Sequence, residues 1–186
     1  LVDHLRAAGH DPVLTREPGG SPGAEDIRRL LVEGDPGRWS AETEILLFTA
    51  ARRDHVERTI APARAAGRIV VTDRFADSTR VYQGAARGGD RLRDLVDRLH
   101  AELIGTEPDL TLVIDTDPGT ALARGLARGG AEHRFEGMGV AFQHALRDGF
   151  RALAVEAPDR VRLIDGDRDE ETVAREVAAC VEARLR

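Results

Sequence analysis

An aspartate and an arginine stand side by side at the end of an apolar run in the middle of the chain. The run RIVVT, residues 68–72, is typical of a buried parallel strand, and Asp73 and Arg74 follow it directly. An aspartate at such a position can hold Mg²⁺ directly or through water. The planar guanidinium of the adjacent arginine can bind a phosphate through two parallel N–H bonds. The dipeptide therefore indicates either a metal–phosphate site or a local ion pair.

Charged residues also follow two other predicted strands. Arg16 and Glu17 come after a short strand at 11–15, and Asp115 comes after an apolar strand at 110–114. Open parallel sheets bind their ligands beyond the carboxyl ends of the strands. These residues therefore favour a phosphate or metal–phosphate site at that edge; the alternative is that they only cap the helices that follow.

A phenylalanine and an arginine share one face of a long predicted helix. Phe48 and Arg52 are four residues apart, which places their side chains next to each other. A ring beside a guanidinium could stack on a nucleobase and hydrogen-bond its edge, although a core phenylalanine with a surface arginine has the same spacing. The neighbouring Arg53 points about 100° away from this face.

Arginines surround a glycine-rich segment at 129–139. Arg124, Arg128 and Arg134 could close over the phosphates of a nucleotide and stabilise their charge, if the segment is mobile. A solvated basic face is the alternative interpretation. We predict a lid over about residues 124–139.

The histidines do not have the spacing of metal ligands, so we expect them at surface or supporting positions. They are His4, His10, His55, His100, His133 and His144.

The elements that must position these residues alternate between short strands and longer helices. Strands are predicted at 11–15, 68–72, 110–114 and 161–164, and helices at 1–8, 24–32, 41–66, 77–83, 90–104, 118–128, 140–157 and 169–186. We expect Pro62 to kink or break the long helix. This alternation predicts an α/β fold with a parallel sheet covered by helices on both faces. No linker divides the chain, so 1–186 is expected to form one domain.

Composition excludes several function classes. The chain has 186 residues and a net charge of −6, which disfavours a general nucleic-acid binder. No apolar run of about 18 residues is present, so no membrane span is expected.

A single cysteine, Cys180, excludes an intramolecular disulfide framework and favours a reducing, cytoplasmic location. All 27 basic residues are arginine, so the printed chain has no lysine for a Schiff base or for a G-x-x-x-x-G-K-[ST] phosphate loop.

Four sequence segments, in this order, resemble the bacterial thymidylate kinase (dTMP kinase) family. They are TREPGG at 15–20, LLFTAARRDHV at 46–56, GRIVVTDRFADSTRVYQG at 67–84, and an arginine-bearing segment that ends in HRFEG at 133–137. The resemblance extends over essentially the whole chain. It implies a P-loop NTPase-like three-layer sandwich that transfers a phosphoryl group from ATP to dTMP, giving dTDP, with Mg²⁺ as cofactor.

The resemblance also implies a role for individual residues on the dTMP side. Phe48 would stack on thymine and Arg52 would bond the base edge. Arg16 and Arg74 would hold the dTMP phosphate, and Asp73 would lie near Mg²⁺. The remaining substrate-site candidates are Glu17, Ser78, Tyr82 and Gln83, of which Gln83 is expected to contact the base.

On the ATP side the resemblance implies a lid and an adenine-binding loop. Arg124, Arg128 and Arg134 would reach the ATP phosphates, and Asp165 would lie near adenine. The catalytic candidates are therefore Asp73, Arg74, Arg128 and Arg134. The family also forms homodimers through long helices, for which the predicted helix at 41–66 is the candidate.

The family pattern begins with a strand and a phosphate loop, whereas the printed chain begins at LVDHLRAAGHD. We expect about 15–25 preceding residues to carry that first strand and loop. The expected strand is a central one, between the strands that end at Asp73 and Asp115. The alternative functions are another nucleoside monophosphate kinase, or a non-catalytic dTMP-binding fragment that lacks the phosphate loop.

Overall fold

Parallel strands alternate with helices along the chain, as the sequence predicts. A computed structural model describes residues 1–35, 37–127, 135 and 138–186. Its strands are β1 (Pro12–Arg16), β2 (Ile69–Asp73), β3 (Thr111–Asp115) and β4 (Val161–Asp165). Its helices are α1 (Val2–Ala7), α2 (Pro22–Val32), α3 (Ala41–His55), α4 (Ala61–Ala65), α5 (Ala76–Thr79), α6 (Ala86–Leu99), α7 (Pro118–Ala127), α8 (Val140–Glu156) and α9 (Glu170–Leu185).

The described strands form two parallel pairs, β1 with β2 and β3 with β4, rather than one continuous sheet. The register of the first pair sets Arg16 beside Asp73. The register of the second pair sets Asp115 beside Asp165. Each pair therefore brings two of the predicted site residues together at its carboxyl end. The α/β class is confirmed.

The long helix predicted at 41–66 is continuous, and Pro62 does not break it. Ser40 begins the helix by accepting a hydrogen bond from the backbone N–H of Thr43 at 3.1 Å. A π-helical segment, Val56–Ile60, joins α3 to α4. Pro62 follows this segment in α4, and the helix continues to Ala65, so the expected break does not occur.

The helix predicted at 77–83 also continues further than expected. It passes through a π-helical segment, Arg80–Ala85, into α6 and changes direction at Gly89, whose φ is 59° and ψ is −155°. Such a backbone is accessible to glycine at low cost. The second predicted helix, at 90–104, starts directly after this break.

Apolar side chains from the helices cover the first strand pair and the helix interfaces. One buried cluster joins Val56, Ile60, Phe75 and Ile104, with Val70 of β2 packed against it. A second cluster joins Ile45 of α3 to Leu92 and Val96 of α6. These contacts fix α3, which carries the predicted base-binding residues, against its neighbours. Within the described ranges, no helix is both long and apolar enough to span a membrane.

An ionic network centred on the buried Arg80 links α5 to the loop that precedes β3. Arg80 donates to Asp77 at 2.8 Å, to Asp97 at 2.7 Å and to Glu107 at 2.5 Å. Burial alone would raise the pKa of Glu107, but His100 and Arg80 outweigh it and lower that pKa to about 2. Because this pKa is lower in the folded state, the network stabilises the fold above about pH 4.5, the ordinary pKa of a glutamate, and loses this contribution as the pH falls towards 2.

We therefore expect Glu107→Gln to lower the free energy of unfolding at pH 7, and the deficit to shrink as the pH falls from about 4.5 towards 2. Urea unfolding at several pH values measures this. Glu102→Gln, on an exposed side chain of the neighbouring π-helical segment His100–Ile104, is the matched control and should change little. A deficit that stays constant with pH would assign the effect to packing rather than to charge.

Candidate active site

Between the two strand pairs lies an opening, or cleft, of about 1390 Å³, which takes in the position expected for the preceding central strand and continues past the carboxyl ends of β2 and β3. Its walls include Val70 and Val71 of β2 and Leu112 and Val113 of β3. The cleft is lined by Asp115 and by nine residues predicted to bind dTMP or Mg²⁺: Arg16, Glu17, Phe48, Arg52, Asp73, Arg74, Ser78, Tyr82 and Gln83. The fold therefore gathers on one surface these nine residues, which are up to 67 positions apart, from Arg16 to Gln83.

The backbone of Arg74 has a rare conformation. Its φ is 68°, in the left-handed region that residues with a Cβ seldom adopt. The hydroxyl of Thr72 donates to the Arg74 carbonyl at 2.9 Å and supports this turn. The guanidinium lies over the ring of Tyr82, 5.0 Å from its centroid, and NH1 is 3.5 Å from Ser78 Oγ. Residues held in such conformations cluster at functional sites, because the surrounding structure must maintain them.

Asp73 presents a carboxylate to the cleft. The residue is exposed, and in the described part of the chain its carboxylate has no hydrogen-bond or ion-pair partner. Local ion pairing with Arg74, the alternative interpretation of the sequence, is therefore not observed. Mg²⁺ is commonly bound by one or two carboxylates, several waters and the phosphates of the substrate. A single available carboxylate beside an exposed arginine fits that mode of binding.

Arg52 is buried, not exposed. Its side chain is 3% exposed; Nε donates to Glu17 Oε2 at 2.8 Å and NH2 donates to Thr79 Oγ1 at 2.9 Å. The guanidinium also lies 5.2 Å from the centroid of the Phe75 ring. The interpretation of Arg52 as a surface residue is therefore wrong. Arg53, by contrast, is exposed and pairs with Glu57, as the helix geometry predicts.

Gln83 is fully buried, and its orientation is set by Glu44 of α3. Its amide Nε2 donates to Glu44 Oε2 at 2.9 Å, and Arg87 donates to the same oxygen at 2.5 Å. A carboxylate only accepts hydrogen bonds, so the amide nitrogen must face Glu44 and the amide oxygen must face away. Within the described residues, Gln83 Oε1 is buried without a partner, although it belongs to a side chain that lines the cleft.

Aromatic rings surround Tyr82, and the sequence indicated only some of them. Tyr82 meets Phe142 and Phe150 of α8 edge-on at 5.9 and 6.4 Å. It also meets Phe135 at 5.5 Å, and Phe135 in turn lies 6.4 Å from Phe48. The half-buried Phe48 therefore borders an apolar wall of the cleft. The two α8 rings were missed because their distance from Tyr82 in sequence gives no periodic signal.

Arg16 is held by a glutamate of α2. Its Nε and NH2 donate to the Glu25 carboxylate at 3.4 and 3.0 Å, and the Gly20 backbone N–H donates to the same carboxylate at 2.9 Å. The Gly20 N–H, followed by Arg16, lowers the pKa of Glu25 below its ordinary value. Glu25 thus keeps its negative charge and fixes the exposed Arg16 at the edge of the cleft.

The carboxyl end of β3 is occupied differently from the prediction. Asp115 accepts hydrogen bonds from Arg147 at 2.6 Å and from Arg151 at 2.7 Å, both on α8. Burial alone would raise the pKa of Asp115, but these two arginines outweigh it and lower that pKa. The expectation that Asp115 joins a metal–phosphate site is therefore replaced by an ionic contact that holds α8 to β3.

The candidates on the ATP side lie apart from these residues. Arg124 is exposed and donates to the carbonyl of Gly166 at 3.3 Å, which places it beside Asp165. Neither Arg124 nor Asp165 lines the cleft described above. Arg128 and Arg134 lie outside the described residues, as does most of the predicted lid.

Two histidines expected at surface or supporting positions are buried. His55 is completely buried on α3, and the side chain of His100 is 6% exposed. His55 supports the site residue Glu17, so the supporting interpretation holds for it and the surface interpretation is wrong. His55 lies three positions after Arg52 on the same helix, a spacing that was available in the sequence.

Known proteins resemble this chain over nearly all of its length. The family model described as "Thymidylate kinase" matches residues 1–177. A thymidylate kinase of Jannaschia sp. (strain CCS1) is 66% identical over 185 residues, covering 100% of this chain and 88% of that protein. A thymidylate kinase of Dinoroseobacter shibae is 68% identical over 179 residues, covering 96% and 86%. The crystal structure of thymidylate kinase from Ehrlichia chaffeensis superimposes with a TM-score of 0.72 at 33% identity, covering 92% of this chain and 80% of that one.

Proposed function

The chain belongs to the thymidylate kinase family, and from that premise we propose which residues of its cleft recognise the thymine base of dTMP and which position its phosphate. The reaction is ATP-dependent phosphorylation of dTMP to dTDP, in a P-loop NTPase-like fold. Neither alternative function is favoured by these similarities. The observation that carries the proposal is that Arg52 and Gln83, both buried, line one cleft, and that Gln83 Oε1 has no hydrogen-bond partner among the described residues.

Arg52 and Gln83 have the polarity that the thymine edge requires. Thymine presents a carbonyl oxygen at C4 and an N–H at N3. Arg52 uses Nε and one NH2 hydrogen inside the protein, so the rest of its five N–H groups can donate to O4. Gln83 Oε1 can accept from N3–H, which would satisfy the buried oxygen. Phe48 on the cleft wall supplies a face on which the base stacks.

Arg74 and Arg16 are the proposed phosphate ligands. Arg74 is held over Tyr82 by its unusual backbone, and Arg16 is held by Glu25. Both guanidinium groups are exposed at the cleft, so each can donate to phosphate oxygens without a large rearrangement. Their positive charges offset the repulsion between the acceptor phosphate and the incoming phosphoryl group. Phosphoryl transfer depends on such positioning and charge stabilisation rather than on covalent catalysis.

Asp73 is the proposed Mg²⁺ ligand. A Mg²⁺ ion held there would neutralise the negative charge that develops on the phosphates during transfer. The Asp73 carboxylate stands beside Arg16 in the strand register, so metal and acceptor-phosphate ligands lie at the same edge. In the transfer, an oxygen of the dTMP 5′-phosphate bonds to the γ-phosphorus of ATP, the bond to the bridging oxygen breaks, and dTDP and ADP form.

We further propose a lid, an assembly state and a location. Residues 1–186 form one domain in which 124–139 act as the lid, with Arg124, Arg128 and Arg134 on the ATP phosphates and Asp165 near adenine.

A homodimer is supported by Leu30 of α2 and Leu46 of α3, which are 39% and 58% exposed on helices that pack together. The net charge disfavours nucleic acid as a partner, and the single cysteine supports a cytoplasmic location.

The proposed function is tested by comparing nucleotides as acceptors. We expect dUMP, which lacks only the methyl group of thymine, to lose about 10–200-fold in kcat/KM, since one methyl in a fitted pocket contributes about 1–3 kcal/mol. We expect dGMP to be poorer still, because a purine does not fit the same edge. Coupled measurement of ADP release gives these values. Equal efficiency with dTMP and dGMP would favour another nucleoside monophosphate kinase.

The stacking role of Phe48 predicts a loss of dTMP affinity in Phe48→Ala. The expected cost is about 1–3 kcal/mol, the range measured for base–aromatic stacking, with little change in ATP affinity. Calorimetric titration of each nucleotide separates the two effects. Val155→Ala is the matched control, since Val155 is 81% exposed on α8. Unchanged dTMP affinity in a folded Phe48→Ala protein would remove Phe48 from the base site.

A further inference from the structure

His55 joins two residues of the TREP segment to α3. Its Nδ1 lies 3.0 Å from Glu17 Oε1, and its Nε2 lies 2.7 Å from Thr15 Oγ1. The ring is completely buried, and a Cβ added at Gly20 would lie 2.4 Å from its Nε2. The ring therefore fills its site closely and cannot swing away from either partner.

The partners of His55 determine which ring nitrogen carries the hydrogen. The Glu17 carboxylate only accepts, so Nδ1 must be the donor towards it. In the neutral ring, Nε2 then accepts a hydrogen bond from the Thr15 hydroxyl. The charge of Glu17 is balanced by Arg52 within the same buried group.

The two oxygens of Glu17 are thereby divided between two donors. Oε1 faces His55, and Oε2 accepts from Arg52 Nε at 2.8 Å. If Oε1 lost its partner, the carboxylate could rotate and take a second N–H from the guanidinium. Side-on pairing with two N–H groups is a favoured geometry between arginine and carboxylate. The Arg52 N–H group that formed this second bond would no longer be available to Thr79 or to a ligand in the cleft.

We propose that His55 is a positioning residue for base recognition: it holds Glu17 so that Arg52 keeps N–H groups directed to the nucleobase. The inference rests on the proposed role of Arg52 in reading the C4 carbonyl of thymine. His55 does not touch the substrate. His55 acts through Glu17. The hydrogen bond from Thr15 to Nε2 keeps the His55 ring in the tautomer that carries its hydrogen on Nδ1.

Two conservative variants separate this role from simple packing. In His55→Asn the amide nitrogen stands near the former Nδ1 and can still donate to Glu17. In His55→Gln the amide reaches the former Nε2 position near Thr15 and leaves Glu17 Oε1 without its donor. Both variants bury an amide of similar polarity, so a role in packing alone predicts similar losses in the two.

The readout is the ratio of kcat/KM for dTMP to kcat/KM for 5-methyl-dCMP, which carries an amino group in place of O4. We expect His55→Gln to lower this ratio roughly 10-fold or more, mainly through the KM for dTMP, because Arg52 loses a charged hydrogen bond to O4. We expect His55→Asn to stay within about threefold of the parent, and the KM for ATP to change little in both. Equal ratios in the two variants and the parent would overturn the proposal.

Thr15→Val keeps the test informative if the His55 variants do not fold. Valine is similar in shape to threonine but lacks the hydroxyl that fixes the His55 tautomer. We expect the ratio to fall about two- to fivefold, with the KM for ATP unchanged, and an unchanged ratio would contradict the proposal. If the parent protein does not use dTMP at all, the proposed function fails; if it uses dTMP but no variant moves the ratio, only the role of His55 fails.

Discussion

Arg74→Lys is expected to lower kcat/KM for dTMP about 10²–10³-fold, the loss typical of removing one preorganised donor from a site of developing charge. Lysine keeps the positive charge but cannot donate through two parallel N–H groups, and its ammonium does not stack on Tyr82 as the guanidinium does. Arg74 has a left-handed backbone, and lysine, like arginine, is an unbranched residue with a Cβ, so we expect the change to affect mainly the side chain.

Steady-state kinetics of Arg74→Lys should be read together with thermal unfolding. We expect the midpoint of unfolding to remain near that of the parent, because Arg74 is exposed and its hydrogen bond to Ser78 is long, at 3.5 Å. Arg53→Lys is a suitable control, since Arg53 is an exposed arginine of α3 that pairs with Glu57. Parent-like kinetics in Arg74→Lys would show that Arg74 does not bind the acceptor phosphate.

The second large effect concerns the polarity of the base edge. 5-Methyl-dCMP has the size and methyl group of dTMP, but it presents an amino donor at C4 and an acceptor at N3. The amino group would face the N–H donors of Arg52, and the N3 acceptor would face the acceptor oxygen of Gln83, so neither hydrogen bond could form. Each loss costs about 1–3 kcal/mol of binding free energy, so we expect kcat/KM to fall roughly 10²–10⁴-fold relative to dTMP.

dUMP is the natural control for this comparison, because it keeps the hydrogen-bonding edge of thymine and lacks only the methyl group. The account predicts that dUMP is the better of the two substrates. If 5-methyl-dCMP were used as well as dUMP, the methyl group rather than the edge would determine selectivity, and the roles of Arg52 and Gln83 in base recognition would be wrong.

Short-range patterns in the sequence predicted much of the fold and the position of the site. The strand RIVVT and the charged residues after it are local features, and helical periodicity placed Phe48 and Arg52 on one face of α3. Parallel pairing then brought Arg16 beside Asp73, as expected where strand ends meet at one edge. These inferences succeeded because each depends on a few neighbouring residues.

The contacts that bury and orient Arg52 and Gln83 could not be predicted from short-range sequence patterns. Arg52 is paired with Glu17, 35 positions earlier, and Gln83 is oriented by Glu44, 39 positions earlier. Spacing in the sequence does not encode such distances. Burial followed from these pairings, which is why Arg52 could be interpreted as a surface residue until its partners were known.

The end of β3 illustrates the same limit. Asp115 has the sequence context of a site residue, an acid directly after an apolar strand. Its carboxylate is instead engaged by Arg147 and Arg151, which are 32 and 36 positions away on α8. The distinction between an available carboxylate at Asp73 and an engaged one at Asp115 depends on where a later helix packs.

A crystal structure of the protein with dTMP bound would show whether Arg52 and Gln83 recognise the edge of thymine. We expect thymine O4 to lie within about 2.7–3.2 Å of an Arg52 nitrogen and N3 to lie within the same distance of Gln83 Oε1, with Phe48 against the face of the ring. Glu17 and His55 should keep their present contacts in the complex. A base that binds in the cleft with neither Arg52 nor Gln83 at hydrogen-bonding distance would contradict the account.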